Sequence, residues 1–218
     1  MKKLKQNKKG FTLLEILIAM AISSLLLTGL VGMLLPANDM LHKTSCLQEQ
    51  REIIRTVNYG ISERVRYASD VIIINNTSAM PVKTSATLPE YKVLKIDKTV
   101  GDYRGSKISG RVYVADSLGS DIKPMISLDS YVRYSCDIEV SKDNANLVLD
   151  FHLYRNMKNG TVEDSFTVVN KTLLKNCTDA VEDKGSFRII DVKTMTDAQK
   201  IPGLSIKPVG DDTYILYK

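Results

Sequence analysis

The sequence predicts an α+β fold, a long N-terminal helix packed on a mainly antiparallel β-sheet domain. Three observations carry that expectation. Phe11 to Leu35 is a run of 25 largely apolar residues whose only charge is Glu15. Beyond Pro36, Leu47, Ile54, Val57, Ile61, Val65 and Ala68 recur mostly every three or four residues, with Glu49, Arg51, Arg55, Glu63 and Arg66 between them, which is the period of a helix with one apolar stripe. From residue 71 onward the pattern shortens into β-rich runs separated by Asn, Gly, Asp, Ser and Pro. The 218 residues suffice for one globular domain with a sizeable core in addition to a membrane segment.

Residues 1–10 read as a leader that ends in Gly10. Lys2, Lys3, Lys5, Lys8 and Lys9 account for the whole net charge of +5, and the remainder carries 25 basic and 25 acidic side chains. A balance of that kind supports no general electrostatic grip on nucleic acid. Residues 11–35, as a helix, reach about 37 Å at ~1.5 Å per residue, enough to cross a bilayer with some tilt. The leader lysines hold the N-terminus on the cytoplasmic side and leave the chain after Pro36 outside. Gly29 and Gly32 loosen the run and Pro36 ends or kinks it. Residues 36–70 form the amphipathic segment, helical from about residue 39 to 69, with Gly60 as its weak point and its apolar stripe laid on a sheet. Residues 71–218 form the β-rich domain, with strands near 71–75, 91–97, 108–115, 131–140, 146–154, 165–174, 186–192 and 213–217. The clearest pair is Tyr131 to Val140 with Leu147 to Tyr154, a hairpin joined by the polar turn Ser141 to Asn146.

Three readings compete for the N-terminal segment. An ordinary secretory signal places its small-residue cleavage site after the apolar region, but Ala19-Met20-Ala21 lies inside it. A plain signal anchor accounts for the length and the lysines and gives no part to Gly10, Phe11 or Glu15. The third reading uses all of them: Lys9-Gly10-Phe11-Thr12-Leu13-Leu14-Glu15 resembles the class III signal of type IV prepilins and pseudopilins, a basic leader followed by glycine, phenylalanine and a glutamate at the fifth mature position. The resemblance implies cleavage between Gly10 and Phe11 by a prepilin peptidase, N-methylation of Phe11, and survival of the apolar helix in the mature protein. For Glu15 it implies an assembly role, pairing with the Phe11 amino group of a neighbouring subunit.

The chemistry of Glu15 agrees with that role. A carboxylate deep in hydrocarbon costs a few kcal/mol, so an acid retained in a membrane helix needs a partner or a place near the interface. One turn from the new N-terminus, Glu15 has the place. Thr12-x-x-Glu15 also fits a helix capping box, a plainer account that is compatible with the first. Many type IV pilins have a proline where Gly32 stands, and this chain departs from them there.

The outer domain loosely resembles type IV minor pilins and the J-type minor pseudopilins of type II secretion. The resemblance rests on Arg66-Tyr67-Ala68, on the strand pair Val132 to Tyr134 and Leu149 to Arg155, and on Leu173-Leu174-Lys175-Asn176-Cys177. Major pilins are usually shorter and often close a C-terminal loop with two cysteines, and no cysteine follows Cys177.

Other chemistry is sparse. Of Cys46, Cys136 and Cys177, the latter two are the candidates for a disulfide because both lie in the outer domain, and three reduced, mostly buried thiols are the alternative. No phosphate-binding loop, dinucleotide motif, nucleophile elbow or metalloprotease helix is present. His42 and His152 suggest no triad, and the acidic groups at Asp116 to Asp121, Asp143 and Gly210 to Asp212 lack the calcium-loop pattern. No cofactor, metal or nucleic-acid partner is expected. The expected function is that of a structural subunit of a type IV pilus or related filament, with a prepilin peptidase, other pilin or pseudopilin subunits and the cytoplasmic membrane as partners. The alternative is a membrane-anchored surface-binding module that does not polymerise.

Overall fold

The computed structural model describes residues 12–156, 162–177, 186–195 and 201–218. The chain forms two compact units that divide between Glu49 and Gln50. One helix, α1 (Leu13–Val65), supplies the described part of the first unit and opens the second.

The helix does not end at Pro36, so the two helical stretches expected on either side of it are one element. A proline inside a helix removes one N–H and sets its ring against the carbonyl four residues back. That residue is Gly32, which has nothing within 4 Å of where a side chain would stand, so the backbone has room to adjust. At the other end α1 stops at Val65, earlier than its apolar spacing suggests. There the chain's later residues take over the carbonyls: Lys175 N–H donates to Arg66 O at 2.9 Å, Asn176 Nδ2 to Tyr67 O at 2.6 Å, and Cys177 Sγ to Ala68 O at 3.2 Å. The Arg66 to Ala68 and Leu173 to Cys177 elements, far apart in sequence, therefore meet as a helix end and its cap.

The strands follow as β1 (Val71–Thr77), β2 (Val82–Lys83), β3 (Lys92–Asp97), β4 (Gly101–Tyr103), β5 (Ser106–Ile108), β6 (Arg111–Ala115), β7 (Lys123–Pro124), β8 (Tyr134–Asp143), β9 (Asn146–Asn156), β10 (Val162–Leu173), β11 (Phe187–Asp191), β12 (Leu204–Ser205) and β13 (Asp212–Tyr217). A six-stranded sheet has the order β11-β1-β13-β3-β6-β7, antiparallel except for the β1–β11 pair. A three-stranded antiparallel sheet has the order β10-β9-β8, and two-stranded ribbons join β12 to β2 and β4 to β5.

The main core lies between the sheets and the second half of the helix. Ile54, Val57, Ile61 and Val65 meet Val71, Ile73, Leu94, Ile96 and Ile215 of the large sheet and Ile138, Leu149, Phe151 and Leu153 of the small one. A second cluster covers the opposite face of the large sheet, where Ile72, Ile74, Val93 and Leu216 pack under Leu88, Tyr91, Ile201 and Leu204. A strand buried on both faces has no polar side, which is why Val71-Ile72-Ile73-Ile74 is apolar without alternation.

Other expectations change in detail. Leu47 is 38% exposed, so the buried stripe begins at Ile54. The 131–140 strand starts only at Tyr134, because Leu128–Tyr131 form a 3-10 turn capped by Ser127. The six-residue turn shrinks to Asn144 and Ala145, since Asn144 adopts φ 54°, a left-handed conformation that asparagine tolerates. The 108–115 run is interrupted at Gly110, whose φ is 68° and whose added Cβ would stand 1.8 Å from Cys136 O. Strands β2, β4, β7 and β12 are too short to show a period.

Candidate functional site

At the start of α1 the backbone N–H groups of the first turn have no partners within the helix. Thr12 and Glu15 solve that locally. Glu15 N–H donates to Thr12 Oγ1 at 3.3 Å, while Thr12 N–H and its hydroxyl donate to Glu15 Oε2 at 2.9 and 3.0 Å. This is the reciprocal capping box anticipated from Thr12-x-x-Glu15. Gly10 and Phe11 lie outside the described residues.

From Leu13 to Leu35 every residue is exposed, including Leu14, Leu17, Leu25, Leu26 and Leu34 at 60% or more. The helix is long and apolar enough to cross a membrane by length and composition. Two of its hydroxyls bond within the helix: Ser24 Oγ donates to Ala21 O and Thr28 Oγ1 to Ser24 O, each at 2.8 Å. Glu15 neighbours Ile16, Ala19, Met20 and Ser23 on an open side of the helix. Glu15, Ala19 and Ser23 follow one another at intervals of four, so the one charge and two small side chains share a helix face.

Residues 5–31 match the prokaryotic N-terminal methylation motif. That is a type IV pilin-like prepilin signal, and the match spans the leader from Lys5 onward, Gly10, Phe11, Glu15 and most of the apolar run. No curated protein and no solved structure matches the chain.

The remaining candidates separate in space or find other partners. Cys136 and Cys177 are both buried in the main core. Cys136 Sγ contacts Asp137 O at 3.7 Å and Cys177 Sγ is engaged in the helix cap, and burial pushes the Cys136 thiol well above its ordinary pKa. His152 lies on β9 with Nε2 3.6 Å from Asp150 Oδ1 and Nδ1 3.2 Å from Thr167 Oγ1. Asp150 lies two residues before His152 on the same face of β9, whereas Thr167 comes from β10 through strand register and was not evident from the sequence. No group of three or more His, Cys, Asp or Glu side chains able to hold a metal ion occurs among the described residues. Two of the acidic groups are instead met by lysine: Asp143 by Lys171 at 2.7 Å and Asp212 by Lys95 at 2.8 Å.

Proposed function

We propose that this chain is a filament subunit of the type IV pilin or pseudopilin kind, cleaved between Gly10 and Phe11, N-methylated on Phe11 and assembled through the helix that begins there. The observation that carries the reading is the coincidence of the methylation motif with a wholly exposed apolar stretch of α1, Leu13 to Leu35, bearing a single carboxylate. While the subunit waits in the cytoplasmic membrane, Thr12 offers Glu15 two hydrogen bonds and so lowers the cost of a charge near hydrocarbon. Glu15 Oε2 takes both, and in the assembled filament the carboxylate turns to the Phe11 amino group of a neighbour. The small side chains of Ala19 and Ser23 let a second helix approach closely, as small residues do in membrane bundles. The domain from Gln50 onward then stands outside the membrane. A minor-subunit role, of the J-type pseudopilin sort, is the finer reading that the chain length and the outer-domain resemblance favour.

The experiment is mass spectrometry of the N-terminus after co-expression with a prepilin peptidase. A chain starting at methylated Phe11, lost when Gly10 is substituted, is the expected result, and an unprocessed Met1 under all conditions overturns it. Glu15→Ala is expected to leave membrane fractionation unchanged and to remove the subunit from purified filaments. The capping box also satisfies Glu15 with no neighbour at all, which favours the second reading, a membrane-anchored binding module that does not polymerise. Normal filament incorporation of Glu15→Ala removes the assembly role, and absence of the wild-type chain from filaments selects the second reading.

A further inference from the structure

The large sheet carries a group of charges that filament assembly does not use. Lys95 and Asp97 stand on β3, Arg111 opposite Asp97 on β6, and Asp212 on β13. Lys95 Nζ lies 2.8 Å from Asp212 Oδ2 and 3.8 Å from Asp97 Oδ2. The three side chains keep only 15%, 6% and 10% exposure respectively. The Tyr214 ring closes one side, its centroid 5.9 Å from Nζ. Asp212 Oδ1 is buried with no hydrogen-bond partner. Asp97, by contrast, is well partnered: Arg111 Nη2 donates to its Oδ2 at 2.8 Å, and Thr99 donates both its N–H and its hydroxyl to Oδ1.

We propose that Lys95 and Asp212 condense to an intramolecular isopeptide bond, with Asp97 as the proton carrier. An amine, a carboxyl carbon and a second carboxylate share a site with little water, and the fold holds the first two in contact, so encounter costs nothing further. The Nζ proton first passes to the Asp212 carboxylate, converting the ion pair to amine and acid, which a poorly solvated site accepts more readily than separated charges. The Nζ lone pair attacks Asp212 Cγ. Asp97 takes one proton from the nitrogen and delivers it to the departing hydroxyl. The Cγ–O bond breaks, the Nζ–Cγ bond remains, and one water leaves, with no oxidant or cofactor required. Burial raises the pKa of Asp212, the direction that the first transfer needs. Burial also draws Lys95 downward, but its Asp212 contact outweighs this and leaves the ammonium favoured, so the reaction begins with that proton transfer. The product ties β3 to β13 covalently at the centre of the sheet.

Intact-mass spectrometry of the full chain, purified folded and then denatured, tests this. The wild type is expected to weigh about 18 Da less than its processed sequence, the mass of one water, and its digest to contain a branched peptide joining Lys95 to Asp212. Lys95→Arg is expected to restore the full mass, and Asp97→Asn to remain linear with an unchanged circular dichroism spectrum. A folded wild-type chain at full mass overturns the proposal, as does a water loss that persists in Lys95→Arg. A fully cross-linked Asp97→Asn overturns the role of Asp97. Should either variant fail to fold, the wild-type mass and the branched peptide decide alone.

Discussion

Single residues hold this domain to narrow tolerances where elements cross. Gly110 combines a left-handed backbone with a carbonyl at the place of its missing Cβ, so neither strain nor the clash is relieved by a rotamer change. Gly110→Ala is therefore expected to destabilise by about 2 kcal/mol or more, read as a lowered denaturant midpoint at constant slope. Tyr91 donates its hydroxyl to Asp70, which also accepts from the Ser186 hydroxyl. Burial and then the Asp70 contact raise the Tyr91 pKa above its ordinary value near 10. A group raised in the folded state contributes stability that is present below its unfolded pKa and is lost as pH rises through the folded value. Denaturant titrations of the wild type should thus show stability falling above about pH 10, and Tyr91→Phe should show a shallower fall.

At the scale of elements, α1 divides its labour. Up to Glu49 its apolar residues face outward, whereas from Ile54 they enter the main core. Propensity alone makes few helices stable in water, and the second half gains its stability from packing on the sheets. Ile61, fully buried at the middle of that contact, is the place to test it. Ile61→Ala is expected to cost about 2–5 kcal/mol in chemical denaturation, while leaving membrane fractionation unaffected because Leu13 to Leu35 does not depend on it. The neighbouring Ser62 Oγ meets Thr172 Oγ1 at 2.6 Å, a buried link between helix and β10. No pattern in either segment pointed to that link, because neither hydroxyl departs from what its helix or strand accepts.

At the scale of the whole molecule, charge separates precursor from product. The full chain has a pI of about 9.0, and all of its net charge sits in the first ten residues. Removal of the leader leaves equal numbers of basic and acidic side chains, so the processed subunit is expected to focus well below 9.0, near neutrality. An unchanged focusing point after co-expression with the peptidase would contradict cleavage after Gly10. The balance also limits what the chain beyond the leader does as a body: with basic and acidic side chains equal in number, an electrostatic partner must find a local patch.

The sequence by itself determined the N-terminal signal, the membrane-length helix and the places of the main strands. Those features are local: a motif of adjacent residues, an apolar run, and periods of two or 3.6 that each segment carries alone. Glu15 and its Thr12 cap were legible for the same reason, being three residues apart. Only the tertiary structure decided that Pro36 lies inside one helix and that residues 175–177 donate to the carbonyls just past the end of α1. It alone brought Lys95, Asp97, Arg111 and Asp212 together. Those outcomes depend on strand register and on contacts between distant segments, and a one-residue slip in register would have sent each of these side chains to the other face of the sheet.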